Sequence, residues 1–345
     1  MRLRTLFTYL IILLSVSVFG QIAGNHVYNF LSIPVSSRSA ALGGSAIAIN
    51  DGDISLANEN PSLFSKETDG KISIEYINYI SDINLGYTSY SKYIENIGTI
   101  GVGLRYFNGG TITETDIYGN KYGEVGMSEF ALNMSYARAF GDNFSIGATV
   151  KPVYSQMAQY TSFGLLMDVG ASFTSKDKLL TVSTVFKNMG AQITSYDEDL
   201  ASVPFDIQLG ASIKLAHAPF RFSVIAHNIE TPQLTYKQTN YVEPTNIEQK
   251  HEEQEDIKVA NEVLKHMIFG IEFVPSKSFF IRLGYNYQRQ DELMLSEKPG
   301  IVGFSWGFGI RISKLHIAYS NVRYHLASAS NHFTITANLN DFFKH

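Results

Sequence analysis

The chain has 345 residues, of which 13% are aromatic and only 17% charged, with 20 Tyr, 23 Phe and 27 Gly against 9 Pro. That mixture excludes a disordered chain and a long-helix protein. The absence of Cys excludes Cys-ligated zinc, iron–sulfur clusters, thiol catalysis, disulfides and lipoprotein anchoring. A net charge of −5, with no basic run beyond the first residues, argues against a nucleic-acid partner. Mean hydropathy near zero suits a soluble protein and a membrane barrel equally, because alternating strands average out.

Residues 1–20 read as a signal peptide. Arg2 and Arg4 precede an apolar stretch from Leu6 to Phe19, and Val18 and Gly20 are the small residues ahead of a cut before Gln21. The stretch is short for a spanning helix, with a retained N-terminal anchor as the alternative. Removing Arg2 and Arg4 from 27 basic residues leaves 25 against 32 acidic, a balance of about −7. The reading implies export.

Residues 21–70 do not alternate. Small residues from Ser36 to Ala48 allow close backbone packing, and Asn60-Pro61 is a helix-start signal, with Asn60 able to cap and Pro61 suited to the first helical position. Arg38, Ala41, Gly43, Gly44, Asn60 and Pro61 are the candidate motif of this segment. It is expected to fold into a lumen as a plug; an extension packed below the barrel is the alternative.

From about residue 71 to 345 the period is two. Phe205, Ile207, Leu209, Ala211, Ile213 and Leu215 share one face, with Asp206, Gln208, Gly210, Ser212 and Lys214 on the other. Phe304, Trp306, Phe308, Ile310 and Ile312 repeat the pattern, as do Phe279, Ile281, Leu283, Tyr285 and Tyr287. About fourteen strands follow, starting near Lys71, Ile83, Gly98, Met127, Asn143, Ser162, Leu179, Phe205, Phe220, Lys265, Phe279, Gly303, Leu315 and Asn331. Each is about ten residues or slightly longer, the length a tilted strand needs to cross a bilayer.

Tight links at Ile94–Ile97, Gly141–Asn143, Ser175–Lys178, His217–Pro219, Ser276-Lys277 and Ser313-Lys314 alternate with longer ones. The longer ones lie near Gly109–Gly126, Gln156–Thr161, Met189–Pro204, Glu230–Leu264, Arg289–Val302 and Ala327–Ser330. Short turns on one side and long loops on the other characterise outer-membrane barrels. An even strand count places both termini in the periplasm and the long loops at the cell surface. So many strands enclose a lumen too wide for side chains to fill, so polar faces point inward and apolar faces meet lipid. The fold expected is all-β: a transmembrane antiparallel barrel of about fourteen strands. A soluble sandwich or propeller is the alternative. Lys151-Pro152 offers a possible kink.

The run from Val27 to Gly44, then Asp51–Ala57 and Asn60-Pro61, resembles the start of the PorV/PorQ family of outer-membrane barrels, nearest its PorQ branch of the type IX secretion system. The sequence-specific part spans about forty residues. The resemblance implies a fatty-acid-transporter-like barrel with an N-terminal plug, and a place in a cell-surface attachment complex. There the PorQ branch holds a PorZ-like surface protein, with PorU and PorV, while cargo is joined to anionic lipopolysaccharide. The host would be a Bacteroidota-type bacterium.

No enzyme and no cofactor are expected. No His-Glu-x-x-His pattern and no glycine-bracketed Ser nucleophile occur, and Gly101-x-Gly103 and Gly307-x-Gly309 alternate within strands rather than opening a phosphate loop. His316 and His332 fall on polar strand faces, where packing explains them better than a metal. The acidic run His251–Asp256 sits in a long connection and reads as solvated rather than metal-binding. Arg105, Glu129, Asp168, Asp206, Arg221, Arg282 and Arg311 would point into the lumen, and should pair with each other or with plug groups such as Arg38. Partner contacts are expected on the long loops, with Tyr118, Tyr122, Tyr241, Glu252, Glu253 and Asp256 as candidates. A transporter of hydrophobic small molecules is the second hypothesis; it requires an apolar pocket between plug and wall.

Overall fold

The computed structural model describes residues 26–343 except 117, 198, 235–258, 277, 294–300 and 326–327. Fourteen strands form it: β1 (Lys71–Asn78), β2 (Asn84–Ile94), β3 (Gly98–Thr115), β4 (Lys121–Phe140), β5 (Phe144–Met157), β6 (Tyr160–Thr174) and β7 (Leu180–Thr194). They continue as β8 (Asp206–Lys214), β9 (Phe220–Ala226), β10 (Met267–Ser276), β11 (Phe279–Asn286), β12 (Phe304–Ile312), β13 (Leu315–His325) and β14 (Ser328–Asn338). Each pairs antiparallel with its chain neighbour, and β1 closes on β14 from Lys71↔Asn338 to Asn78↔Asn331, leaving no free sheet edge around the ring.

Alternation decides which way each residue faces. Ile74, Val102, Leu104 and Leu283 are 46–55% exposed, whereas Glu75, Glu272 and Arg282, on the opposite faces, are 1–2% exposed. The apolar face is therefore outside, the arrangement of a lipid-facing barrel rather than a soluble core. No described helix is long and apolar enough to cross a membrane; the chain crosses with strands.

The tight links sit where the backbone can reverse. Asn96, Gly141, Lys178 and Ser313 take positive φ values of 63°, 66°, 57° and 55°, the left-handed geometry that matches strand twist in short hairpin links. At the other end the expected loops are partly strand. β3 and β4 run through most of Gly109–Gly126, separated by five residues, and Gln156–Thr161 and Ala327–Ser330 shrink to two-residue links. Long connections remain after β7, β9 and β11.

Pro152 does not kink the wall. Ala131↔Val153 and Met134↔Val150 flank it in unchanged register, so the proline only omits its own ladder bond. Register shifts lie elsewhere in the wall, among them two between β6 and β7, near Phe163/Gly164 and Met167/Val169, the second opposite Asn188 at φ 56°.

Residues 28–64 fill the lumen. Tyr28, Phe30 and Val35 pack with a girdle of inward apolar residues, Ile77, Leu85, Phe107, Ala131, Val153 and Leu166, in the half nearest the long connections. Leu42, Ile49, Ile54, Leu56, Leu63 and Phe64 form a second cluster further down. His26 bridges in parallel to Ser202, in the β7–β8 connection, while the helix Asn340–Phe343 lies at the short-turn end. His26 thus lies at the long-connection end and the helix Asn340–Phe343 at the short-turn end.

Candidate functional site: a locked lumen and a projecting hairpin

Every residue of the candidate plug motif touches the wall or braces the segment. Ser36 starts the short helix Ser37–Ala41 by accepting from the Arg38 amide at 3.2 Å. Asn60 caps the turn Pro61–Leu63: its Oδ1 accepts from the Ser62 amide (3.0 Å), and its Nδ2 donates to the Ile47 carbonyl (2.7 Å) and to Ser172 on β6 (3.1 Å). The Ala41 carbonyl accepts from Ser305 at 3.0 Å, and that of Gly43 from Asn286 and Arg289 at 3.3 Å each. Gly43 and Gly44 take φ of 100° and 113°, which only glycine adopts cheaply. Close approach reaches its limit at Gly284, where a methyl group would overlap the Gly43 nitrogen and the Leu42 carbonyl carbon.

Arg38 is the hub. It is 6% exposed. Its Nε and Nη2 each donate at 2.8 Å to the two oxygens of Glu272 on β10. Nη1 and Nη2 also reach Asp51 at 3.0 and 2.8 Å, and Nη1 reaches Asp53 at 3.0 Å. Arg221 on β9 joins Asp51 and Glu272 at 2.8 Å, and Arg282 on β11 donates from Nε to Glu272 at 2.8 Å. Burial by itself would raise the Asp51 carboxyl, but the guanidinium groups of Arg38 and Arg221 outweigh it and hold it well below the usual carboxylate range. Three cations and three carboxylates thus join plug to wall.

The other lumen charges divide. Lys151 pairs with Asp168 at 2.5 Å, and Arg105 donates from Nη1 to the Phe30 carbonyl at 2.9 Å. Asp206 accepts from the Asn228 amide at 2.7 Å. Glu129 and Arg311 have no ion pair among the described residues, contrary to the expected general pairing, and Arg311 is exposed at the short-turn end. His332 is fully buried beside Ser330 (3.1 Å), and His316 stands edge-on to Phe280. Among the described residues no group of three or more His, Cys, Asp or Glu side chains could hold a metal. Glu272 was missed in the sequence, although Phe269, Ile271 and Phe273 alternate around it with period two.

Between plug and wall, in the half nearest the long connections, lies a cavity of about 1180 Å³ lined by groups such as Arg105, Lys151, Asp168, Lys187, Asp206 and His227. Burial raises the Glu59 carboxyl at its edge, only partly offset by Lys187 and by the Ser39 hydroxyl. The lining is mixed, with Leu31, Ile33, Phe205 and Ile268 among the charged groups, so it is not the wholly apolar pocket that would best suit a hydrophobic substrate.

Beyond the rim stands the β3–β4 hairpin. β2 stops opposite Asn108 and β5 opposite Met127, so Thr111–Thr115 and Lys121–Gly126 have only one another as ladder partners, with the Gly126 carbonyl also accepting from the Ala158 amide at 3.0 Å. Asp116 fixes the tip: its carboxylate accepts from the amides of Tyr118 (2.9 Å) and Asn120 (2.8 Å), from Asn120 Nδ2 (2.9 Å) and from the Tyr122 hydroxyl (3.1 Å). Tyr118 and Tyr122 are 84% and 71% exposed. Tyr241, Glu252, Glu253 and Asp256 lie outside the described residues, as does the run His251–Asp256.

Two solved structures share this fold. The toluene transporter TbuX of Ralstonia pickettii superposes with a TM-score of 0.53 at 11% identity, covering 89% of this chain and 98% of its own. The toluene transporter TodX of Pseudomonas putida gives 0.51 at 11% identity, covering 88% and 96%. At that identity the likeness is one of fold. No curated protein matches the chain. A family model described as type IX secretion system protein PorV matches residues 22–175, from the plug segment to the end of β6. Over residues 22–175, the chain is thus similar to the type IX secretion system protein PorV.

Proposed function

We propose that this protein is a PorQ-type member of the type IX attachment complex, holding a PorZ-like surface protein, with PorU and PorV nearby, while cargo is joined to anionic lipopolysaccharide. In this reading residues 1–20 are a cleaved signal peptide, 21–70 a plug and 71–345 the barrel. The short turns face the periplasm, the long connections face the cell surface, and outer-membrane lipid surrounds the wall. The protein acts by holding, without catalysis or a cofactor.

The observation that carries the choice of anchor is the β3–β4 hairpin, an ordered arm with two exposed tyrosines projecting past its neighbours. Exposed aromatic side chains on a pre-ordered tip are the usual anchors of a protein interface. The runner-up is a channel for hydrophobic small molecules. The fold shared with two toluene transporters favours it, while the charged side chains set among the apolar lining of the large cavity weigh against it.

The test is a pull-down of tagged protein from gently solubilised outer membranes of the native host. Recovery of a large surface protein in near-equal amount, lost on Tyr118→Ala with Tyr122→Ala, supports the anchor. A barrel that emerges alone, carrying lipid or fatty acid, supports the channel.

A further inference from the structure

At the short-turn end, a second cavity of about 430 Å³ opens beside the ionic hub, against β8, β9 and β11–β14. Seven basic side chains line it against three carboxylates; with Glu272 counted behind the wall, three cations remain uncompensated. The carboxylates of Asp51 and Asp53 are already committed to Arg38 and Arg221. The free donors are all on the cationic side. Arg282 is 2% exposed, and among the described residues only its Nε is paired, to Glu272. Arg311 and Lys214 are exposed and have no ion pair among the described residues. His316 Nε2 is buried without a hydrogen-bond partner.

Two of these groups converge on one spot. Arg282 Nη1 and His316 Nε2 each lie 3.1 Å from the point where a Cβ on Gly309 would stand, so with no side chain there both donors stay open to the cavity they line. Phe280 closes one side, and Phe220, Val274 and Pro219 give the cavity an apolar flank.

The geometry points to a binding site for a phosphate-type oxyanion, free or carried on a lipid headgroup. A tetrahedral oxyanion offers several acceptor oxygens to a guanidinium fork, a second arginine and an imidazole N–H, and offsets part of the uncompensated charge. The apolar flank suits the organic part of a phosphate ester. An anion there sits against the hub joining plug to wall, so its occupancy would tighten the plug.

The experiment uses the full mature chain, purified in a phosphate-free uncharged detergent. Inorganic phosphate is titrated calorimetrically; in a parallel arm, native mass spectrometry follows retention of phosphatidylglycerol against a phosphate-free galactolipid. Gly309→Ala fills the opening without changing charge, and Arg311→Gln removes an exposed cation. The site predicts phosphate binding weakened roughly tenfold or more by Gly309→Ala and several-fold by Arg311→Gln. If phosphate does not bind but phosphatidylglycerol is retained and lost on substitution, the site stands and its anion is a headgroup. No binding in either arm, or binding that survives both substitutions, overturns it. Should Gly309→Ala fail to fold, the exposed Arg311→Gln decides alone.

Discussion

Glu272→Gln tests the plug lock directly. The wild-type carboxylate is 1% exposed and receives four donors at 2.8 Å: Nε and Nη2 of Arg38, Nη1 of Arg221 and Nε of Arg282. Glutamine keeps the shape, but removes the charge and one acceptor. Asp51 and Asp53 then face three guanidinium groups, and Arg282 loses its only ion partner among the described residues. Breaking a buried pair from one side costs about 3–5 kcal/mol, because the remaining charge stays desolvated. Arg38→Met makes the mirror-image imbalance, three carboxylates against two arginines. The double variant restores two against two, so it should cost less than the sum of the singles by roughly 0.5–3 kcal/mol. Urea unfolding in lipid vesicles can be followed on Trp306, the single tryptophan, which is 48% exposed on the outer face. Strictly additive costs, or a Glu272→Gln loss below about 1 kcal/mol, would refute the hub as the joint between plug and wall.

Other consequences are simpler. The raised Glu59 carboxyl keeps a proton that the unfolded chain has released, so its contribution to stability falls as pH rises above the ordinary carboxylate range. Glu59→Gln should remove that fall, read as a urea midpoint at neutral pH that rises relative to the one at acid pH, compared with the wild type. Gly284→Ala should destabilise by about 1–3 kcal/mol, by pushing the plug backbone off β11, and the same unfolding assay measures it. Tyr118→Ala with Tyr122→Ala should weaken partner retention by at least about thirtyfold, if these side chains anchor the interface, with the barrel's unfolding midpoint unchanged. Asp116→Ala should loosen the hairpin tip, seen as faster proteolysis there, while the barrel resists as before.

The strands were legible because period two is a direct readout of a two-faced wall. Thirteen of the fourteen expected starts fall within three residues of those observed. β4 is the exception, beginning at Lys121 rather than Met127, because Gly123 and Gly126 look like loop residues when nothing shows their cross-strand partners. Polar faces pointing inward were also legible, but the apolar girdle from Ile77 to Leu166 was not. Those residues sit on inward faces, and they become intelligible only beside Tyr28 and Phe30, which come from far away in the chain. Arg38 was readable as a charge in search of a partner. Its main partner on the wall was not, since any of several alternating acids could have met it, and only the register of β10 against β9 and β11 puts Glu272 between Arg221 and Arg282.

A lumen this polar imposes a condition on any function. In an open pore, water would solvate the inward charges; here Glu75, Glu272 and Arg282 are almost without exposure, and the plug takes the place of water around the hub. Most plug contacts are single hydrogen bonds, such as Ser37 to Thr334 or Asn60 to Ser172, which water replaces at a net cost of about 0.5–1.5 kcal/mol each. The Arg38 cluster is different, since moving Arg38 away would strand Glu272 among cations on a dry wall. Any passage that displaces the Arg38 segment of the plug must therefore break this cluster. The β3–β4 arm lies outside that unit, tied to it only through the wall strands it extends. Holding a partner at the tip and holding the plug in the lumen are thus separable, and Glu272→Gln should leave partner retention intact while it loosens the plug.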